Sequence, residues 1–254
     1  MSTDADRDAA ARARWASASE APVDRFASSS SFAAPPPAPP TPAPAVAAGA
    51  PLTPPTVVGS TRWLRLESFS YHPPCAPPSA PPKTWDRVVR TTKKSGCADA
   101  VAILAVLRDP SSPPHEDKVV LVRQFRPPVA AYTLELPAGL IDGGESPGVA
   151  AVREFREETG YAGTVVSTSP PLCMSPGMSN ESVHVCVLSV DLSLPCNQNP
   201  TTELESTEAG NGLETLLVPR GELLSRLRAA QEVGDIVFAA VYTLAMGIAM
   251  GASS

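Results

Sequence analysis

The sequence has little of what marks nucleic-acid-binding, membrane or secreted proteins. Its 254 residues carry a net charge of −6 at pH 7, so it lacks the basic field by which proteins bind nucleic acids and anionic membranes. Its best apolar run, residues 236–250, is shorter than a membrane span and is interrupted by Gly247. The N-terminus has no continuous apolar segment of the kind found in secretory signals. We therefore expect no nucleic-acid partner and no membrane partner.

Cysteine is scarce, and its spacing does not match a ligand pattern. The five cysteines are an odd number without a C-x-x-C pair, which argues against a disulfide framework and against a zinc site. Reduced thiols indicate an intracellular protein, with the cytosol as the expected compartment and the nucleus as an alternative. Asp4, Asp6 and Asp8 argue against an organelle transit peptide.

Proline, in contrast, is abundant and unevenly distributed. Of the 30 prolines, eleven precede residue 58 and six lie within residues 73–82. Residues 1–58 contain few large apolar side chains, so they cannot bury enough surface to offset the entropy of ordering. We predict a disordered tail over this range, partly in polyproline II conformation. It is either a solvated tail without a partner or a docking site for proline-reading domains.

The remaining chain predicts a strand-rich subdomain over residues 59–98, which contains the proline-rich loop, and a main domain over residues 99–254. Apolar, β-branched runs bounded by turn residues indicate strands, and two runs near the C-terminus indicate helices. With a third helix in residues 147–159, they predict an α+β or α/β sandwich. The predicted strands cover residues 62–71, 84–92, 99–107, 118–125, 131–139, 182–192 and 213–219, and the two C-terminal helices cover residues 221–232 and 236–250.

The third helix has clear boundaries in the sequence. Ser146 is a good N-cap, Pro147 suits the first helical position, and Gly160 is the residue type expected after the last turn. These signals predict a helix that follows directly on a glycine-bearing loop.

Three acidic side chains share one face of this predicted helix. At about 100° per residue, Glu154, Glu157 and Glu158 point the same way. Most charge runs on helices are solvated faces, but no lysines are interleaved here, and like charges one turn apart repel. Bound Mg²⁺ or Mn²⁺ would relieve the repulsion, because hard cations take oxygen ligands. The opposite face would be apolar and buried, with Val149, Val152 and Phe155.

The spacing around the helix resembles a known motif. Gly139 is followed after five residues by Glu145, and after seven more by REFREETGY at residues 153–161. Seven fixed identities match by chance on the order of once in 10⁸ start positions at ordinary residue usage. They resemble a complete Nudix box. The resemblance implies the Nudix α/β/α sandwich, which binds divalent metal and hydrolyses a diphosphate joined to a second group.

The resemblance also implies roles within the box. The metal, Mg²⁺ or Mn²⁺ in its place, would neutralise the diphosphate and lower the pKa of a bound water. Arg153 lies four residues before Glu157 and would orient that carboxylate, and Glu145 would help to hold the site. The metal ligands would be the Ala138 carbonyl and the carboxylates of Glu154, Glu157 and Glu158.

The surrounding sequence resembles the eukaryotic ADP-ribose (ADP-sugar) pyrophosphatases over roughly residues 63–250. The similarity runs almost without a gap through residues 119–161 and includes Pro176, fifteen residues past Tyr161. In that family, a proline at this spacing accompanies ADP-ribose specificity. The resemblance implies hydrolysis of ADP-ribose or a related ADP-sugar to AMP and a sugar phosphate. It also implies a homodimer in which the N-terminal strand subdomain provides the swapped dimer contacts.

Eight residues match substrate-contacting positions of that family. Trp63, from the other subunit, and Trp85 would sandwich the adenine, where base–aromatic stacking contributes roughly 1–3 kcal/mol per base. Composition alone favours the alternative that both tryptophans pack on a core. Asp86 stands where relatives have Glu against the adenine edge, and Arg90 and Arg126 would face the phosphates and ribose. The further pocket positions are Asp99, Leu140 and Met174.

One position departs from the family pattern. The family has a glutamate in the loop before the last strand as its proposed general base, and ungapped alignment puts Asn211 there. An amide cannot accept a proton from water. Glu208 is the favoured substitute, because a mobile loop can bring it to the metals. Glu205, Glu214 and the box residue Glu157 are the alternatives.

Two other functions remain open. The chain could hydrolyse a different nucleoside diphosphate, since pocket contacts discriminate close analogues by only a few kcal/mol. The Asn211 substitution also suits a catalytically weak ADP-ribose sensor, although a pure binder would not require an intact set of metal ligands.

Overall fold

The described part of the chain contains two β-sheets and four α-helices. The computed structural model describes residues 54–77, 79–93 and 98–251. Most of the predicted tail, residues 1–53, lies outside these ranges. Within them, no helix combines the length and the apolar composition needed to cross a membrane.

A three-stranded antiparallel sheet begins the described chain. Strands β1 (Thr56–Ser60), β2 (Leu64–Tyr71) and β3 (Lys83–Arg90) pair in that order. Their β-branched and aromatic residues suit a pleated, half-buried surface. Val57 pairs with Glu67, so residues 56–58, which we assigned to the tail, are strand.

A nine-stranded mixed sheet forms the centre of the main domain. Its strands are β4 (Ala100–Arg108), β5 (Lys118–Arg126), β6 (Ala131–Glu135), β7 (Ala138–Leu140), β8 (Thr164–Thr168), β9 (Leu172–Cys173), β10 (Ser182–Asp191), β11 (Glu214–Pro219) and β12 (Ile236–Val237). Six of them follow the order β12-β6-β5-β4-β10-β8, while β11 pairs with β5, β7 with β4 and β9 with β10. The β4–β10 and β6–β12 pairs are parallel, and the other pairs are antiparallel.

Helices cover both faces of the central sheet. Helix α1 (Pro147–Thr159) packs on one face, and a short helix α2 (Ser206–Gly210) lies in the loop before β11. Helices α3 (Leu223–Glu232) and α4 (Ala239–Gly251) pack on the other face. The predicted α/β/α sandwich is confirmed.

The two hydrophobic cores follow from the alternation of side chains along the central strands. In β5, Val120 belongs to the core under α1, whereas Val119 and Leu121 belong to the core under α3 and α4. Because these strands are buried on both faces, their sequences are continuous apolar runs. The β4 residues in the core under α1 are Val101, Ile103, Ala105 and Leu107.

Two predicted elements differ from the structure. The predicted strand 131–139 forms two strands, β6 and β7, because Pro137 lacks the N–H that a continuous ladder requires. The C-terminal helix begins at Ala239 and not at Ile236, because Ile236 pairs with Thr133 of β6. Strands β1, β8, β9 and β12 and helix α2 were not predicted.

The N-terminal sheet contacts the main domain through β3. Val88 forms a parallel bridge with Ser179, and its N–H donates to the Met178 carbonyl at 2.9 Å. This contact brings the end of β3, at Arg90, beside the loop that leads into β10. Large apolar side chains of the sheet remain exposed, namely Val57, Val58, Trp63, Leu64, Leu66 and Trp85.

Candidate active site

Helix α1 carries the acidic residues and is delimited by the predicted signals. Ser146 accepts a hydrogen bond from the Val149 N–H at 3.4 Å, and Gly160 ends the helix in the left-handed conformation at φ 74°. A Cβ on Gly160 would stand 2.4 Å from the Thr201 nitrogen. The predicted caps are therefore confirmed, and the end of α1 lies against the chain that leads to α2.

The acidic residues of α1 do not form a solvated face. Glu154 and Glu158 are buried beside Phe155, with 8% and 2% of their surfaces exposed. Val149, which we placed on the buried face, is 58% exposed, so that part of the prediction was wrong. Val149 lies roughly 120° around the helix from Phe155, on the side away from the sheet.

Gly139 allows the Glu154 carboxylate to approach the backbone of β7. A Cβ on Gly139 would stand 1.9 Å from Glu154 Cδ and 2.1 and 2.2 Å from its two oxygens. No side chain fits at these distances, so any other residue at this position displaces the carboxylate. The position of the Glu154 carboxylate therefore depends on the absence of a side chain at Gly139.

The Arg153 guanidinium joins the carboxylates of the site. Its Nε and Nη2 donate to the two oxygens of Glu145 at 3.1 and 2.9 Å, and Nη2 also donates to the Leu140 carbonyl at 3.0 Å. Its Nη1 lies 2.9 Å from Glu154 and 3.2 Å from Glu157. Hydrogen bonds to Glu145 and Glu154 hold the pKa of Arg153 above its usual value. Arg153 thereby fixes the loop after β7 onto α1.

Glu158 is more deeply buried than Glu154 and has less positive charge beside it. Its Oε2 accepts a hydrogen bond from the Ala138 N–H at 3.1 Å. Burial, reinforced by the negative charge of Glu208, raises the pKa of Glu158 to about 9. Burial also raises the pKa of Glu154, although Arg153 opposes the shift. The ionised forms of both carboxylates therefore need more positive charge than the protein supplies.

These carboxylates fit a divalent cation. A bound Mg²⁺ or Mn²⁺ would supply the positive charge that burial makes necessary, through the oxygen ligands that such ions prefer. Within the described ranges, no three acidic, histidine or cysteine side chains form a ready-made metal cage. Arg153 lies between Glu154 and Glu157 instead. Arg153 Nη1 contacts one oxygen of each of these two carboxylates, so a metal can bind through their other oxygens while Arg153 stays in place.

Arg126, a predicted substrate residue, lies at the edge of this acidic site. Its Nε and Nη2 donate to the two oxygens of Glu135 at 2.8 and 2.7 Å, and Thr133 Oγ1 donates to Glu135 at 2.5 Å. Burial alone would raise the pKa of Glu135, but these bonds hold it below its usual value. The bonds to Glu135 raise the pKa of Arg126, and the charges of Glu158 and Glu208 raise it further. Arg126 is thus close enough for its charge to act on the metal-binding candidates.

Helix α2 places Glu208 beside the same site. Glu208 accepts a hydrogen bond from the Glu205 N–H at 2.9 Å, and the Glu205 side chain accepts one from the Glu208 N–H. This reciprocal capping box fixes the first turn of α2. Asn211, which the sequence comparison without gaps predicted at the position of the family's loop glutamate, is the C-cap of α2. The negative charge of Glu208 acts on Glu158.

The segment that carries α2 is attached to the site at both ends. Before α2, the Glu203 N–H donates to the Glu157 carbonyl at 2.8 Å. After α2, the Asn211 carbonyl accepts a hydrogen bond from the Phe125 N–H at 3.0 Å. Glu208 is therefore held between an anchor on α1 and an anchor at the end of β5.

Asp99 is buried at the start of β4. Its Oδ2 accepts hydrogen bonds from Lys93 Nζ at 2.6 Å and from the Ser182 N–H at 2.9 Å. Its carbonyl accepts one from the Ile141 N–H at 3.2 Å, next to Leu140. Asp99 thus connects the end of β7 with the start of β10. This contact brings two predicted pocket residues, Asp99 and Leu140, close together at the ends of these strands.

Arg90 and Met174 meet at Glu181, a residue that the sequence analysis missed. Arg90 Nε lies 2.5 Å from Glu181 Oε1, and the Met174 N–H donates to the Glu181 carbonyl at 3.2 Å. Arg90 is therefore paired with a carboxylate, as Arg126 is with Glu135. The pair spans 91 residues of sequence, so no local pattern could have revealed it.

Comparison with known proteins agrees with this geometry. The family model described as the NUDIX domain matches residues 98–232, more than half of the chain. The chain belongs to the Nudix family. The matched range contains the whole Nudix box from Gly139 to Tyr161 and also helix α2.

Two curated relatives cover most of the chain. The ADP-ribose pyrophosphatase of Saccharomyces cerevisiae is 38% identical over 189 residues, which cover 74% of this chain and 78% of the yeast protein. The ADP-sugar pyrophosphatase of Mus musculus is 38% identical over 180 residues, which cover 70% of this chain and 77% of the mouse protein. The crystal structure of an ADP compounds hydrolase matches with a TM-score of 0.51 at 20% identity, over 80% of this chain and 95% of that chain. That structure supports the Nudix fold alone.

Outside the Nudix box, the two candidate adenine-stacking residues are exposed and lie far apart within one chain. Trp63 and Trp85 are 57% and 45% exposed, so neither packs in a core. The Thr91 N–H donates to the Trp63 carbonyl, whereas Trp85 pairs with Phe69. Trp63 therefore lies beside Thr91, six residues beyond Trp85 along β3 and its extension. At the usual rise of a strand, six residues span roughly 20 Å. Asp86 is exposed next to Trp85.

Proposed function

We propose that this protein hydrolyses the diphosphate of ADP-ribose and related ADP-sugars in a reaction that requires Mg²⁺ or Mn²⁺. With ADP-ribose and water, the products are AMP and ribose 5-phosphate. The observation that carries the proposal is the packed Nudix box, in which Glu154 lies against Gly139 and Arg153 gathers the carboxylates. The relatives named ADP-ribose and ADP-sugar pyrophosphatase support the choice of an ADP-linked substrate.

Glu154 and Glu158 are the principal metal ligands in this proposal, with Glu157 and the Ala138 carbonyl beside them. A bound divalent cation neutralises the diphosphate and lowers the pKa of its water. The raised pKa values of Glu154 and Glu158 support this assignment, because burial makes their charged forms unfavourable without a cation. Arg153 positions the carboxylates and takes no proton.

We assign the removal of the water proton to Glu208. Water attacks a phosphorus atom, the bridging P–O bond breaks, and the proton passes to the Glu208 carboxylate. The effect of Glu208 on the pKa of Glu158 supports this role, because it requires the two carboxylates to be near each other. A small shift of α2 that ends the bond to the Glu205 N–H would free the carboxylate. Glu157, which Arg153 already orients, is the alternative base.

Adenine binding in this proposal needs a second copy of the chain. A single adenine ring cannot lie between Trp63 and Trp85 of one chain when roughly 20 Å of strand separates their levels. We therefore place the base between Trp85 of one protomer and Trp63 of its partner, with Asp86 at the adenine edge. The exposed apolar side chains of the N-terminal sheet support a homodimer formed through this sheet. Arg126 then faces the diphosphate.

The test of the proposed function is chromatography of the full-length protein after incubation with ADP-ribose. AMP should appear in the presence of Mg²⁺ and not in the presence of EDTA. The Glu154→Gln and Glu158→Gln variants should each lose turnover by two or more orders of magnitude, because metal binding and water activation are lost together. If ADP-ribose binds but no AMP forms under either condition, the protein is a sensor and the proposal is wrong.

A further inference from the structure

Glu181 lies among the candidate pocket residues, and the proposed reaction does not use it. Its carboxylate contacts Arg90 at 2.5 Å, and its carbonyl accepts the Met174 N–H. The Arg90 and Glu181 side chains are 40% and 27% exposed, so the pair is accessible to a ligand. The backbone around it is fixed by the bridge between Val88 and Ser179.

The two candidate substrate arginines differ in what surrounds them. Arg126 is also paired with a carboxylate, Glu135, and its charge acts on Glu158 and Glu208, at the acidic site where the diphosphate and its metal would lie. Arg90 forms a near-neutral pair with Glu181 where β3 meets the loop before β10. An arginine without a carboxylate partner would attract any anionic group. With Glu181 in contact, this corner of the pocket has no net positive charge to attract a further phosphate.

Two buried acceptor oxygens lie next to this corner in the chain. Asp99 Oδ1 and Asn180 Oδ1 are buried and have no hydrogen-bond donor among the residues that the structure describes. Asp99 contacts Ser182 through its other oxygen, and Asn180 directly precedes Glu181. Buried acceptors without donors are unfavourable. Both atoms are fully buried, so the acceptor that a ligand can reach at this corner is the Glu181 carboxylate, to which hydroxyl groups can donate.

We propose that Glu181 restricts the substrates to ADP joined to an uncharged sugar and excludes those that carry a further phosphate on a ribose. The proposal rests on the proposed function and specifies its substrate class. The Glu181 carboxylate accepts hydrogen bonds from sugar hydroxyls while Arg90 donates to sugar oxygens. A third phosphate would instead meet the Glu181 carboxylate, which repels it.

The experiment compares kcat/KM for ADP-ribose, ADP-ribose 2′-phosphate and ADP-ribose 1″-phosphate with Mg²⁺. The wild-type protein should prefer ADP-ribose over at least one of the phosphorylated compounds by on the order of 100-fold. Glu181→Gln, which keeps the size of the side chain and removes its charge, should lower that preference by about tenfold or more. The preference is a ratio, so any general loss of activity in the variant cancels.

Two further variants separate charge from fold. Glu181→Asp keeps the charge and should keep the preference within about threefold of wild type. Glu116→Gln removes an exposed carboxylate in the turn before β5 and should leave the preference unchanged. A Glu181→Gln protein whose preference stays within about twofold of wild type for both phosphorylated compounds would overturn the proposal.

Failure of the proposed function gives a different result. If the wild-type protein does not hydrolyse ADP-ribose, the same ligands and variants are compared by calorimetric titration with catalysis absent. Affinity ratios that follow the expected order then support the role of Glu181 even though the hydrolase assignment has failed. Equal affinities for all three ligands in wild type and in Glu181→Gln would overturn it.

Discussion

Gly139 lies against the carboxylate of Glu154, so closely that a Cβ on Gly139 would stand 1.9 Å from Glu154 Cδ. Gly139→Ala should therefore displace a proposed metal ligand and lower turnover by on the order of 100-fold or more. Steady-state kinetics with ADP-ribose and Mg²⁺ measure the effect. Gly221→Ala is the matched control, because nothing lies within 4 Å of a Cβ there. Equal turnover in the two folded variants would contradict the role of this contact.

The pKa of Glu158 predicts how the metal-free protein responds to pH. Its folded value of about 9 lies above the ordinary value of 4.5, so the folded chain holds this proton more tightly than the unfolded chain. The resulting stabilisation is complete below about pH 4.5 and is lost as the pH rises through about 9. In EDTA, the melting temperature of wild type should fall over this window more steeply than that of Glu158→Gln.

Bound metal should reverse this difference in stability between wild type and Glu158→Gln. Mg²⁺ binds the folded state and should raise the melting temperature of wild type at pH 8 by several degrees. Glu158→Gln should be more stable than wild type in EDTA and should gain little from Mg²⁺. Parallel melting curves for both proteins at every pH, with the same response to Mg²⁺, would remove Glu158 from the metal site.

The base assignment is tested by two neighbouring glutamates in one capping box. Glu208→Gln should lower kcat by about 10²–10⁴-fold with little change in KM, because the proton acceptor is lost while the short helix keeps its cap. Glu205→Gln alters the other half of the same capping box and should stay within a few-fold of wild type. If Glu208→Gln is nearly native and Glu157→Gln is not, the base is Glu157.

The separation of Trp63 from Trp85 gives a test of the shared site. Trp63→Ala and Trp85→Ala should each raise KM for ADP-ribose more than they lower kcat, because stacking acts on binding. After unfolding and refolding together, the two variants should regain activity at about one quarter of the sites, since half of the dimers are hybrids with one intact pair each. A mixture no more active than its components would exclude a site built from two subunits.

Local sequence signals predicted the ends of α1 and the central strands. Ser146 and Gly160 delimit α1 because capping acts within a few residues. Strands β4 and β5 were predicted because their side chains pack into the cores on both faces of the sheet, which gives them continuous apolar runs. Strands β8, β9 and β12 were missed because they are short or lie at an edge, where no such run is required.

The side of α1 that faces the sheet could not be read from the sequence. The helical period groups Glu154 with Glu158, but the exposure of Val149 and the burial of both acids depend on where the sheet lies. The same limit applies to charge partners. Arg90 and Glu181 meet only because β3 bridges to the loop before β10, which is a tertiary contact.

The α2 segment is held at both ends by backbone hydrogen bonds, and this affects how its acidic residues should be compared in alignments. With Glu203 bound to the end of α1 and Asn211 bound to β5, both ends of the segment are held in place, and only a small shift of α2 between them is needed to free Glu208. Residues three apart on a helix lie one turn from each other, so Glu208 and Asn211 are neighbours in space although they occupy different columns. In the proposed mechanism, Glu208 therefore takes the role of the base one turn before the Asn211 position, with the metal-binding helix unchanged. An alignment that scores the Asn211 column alone would miss Glu208, the residue that we propose as the base.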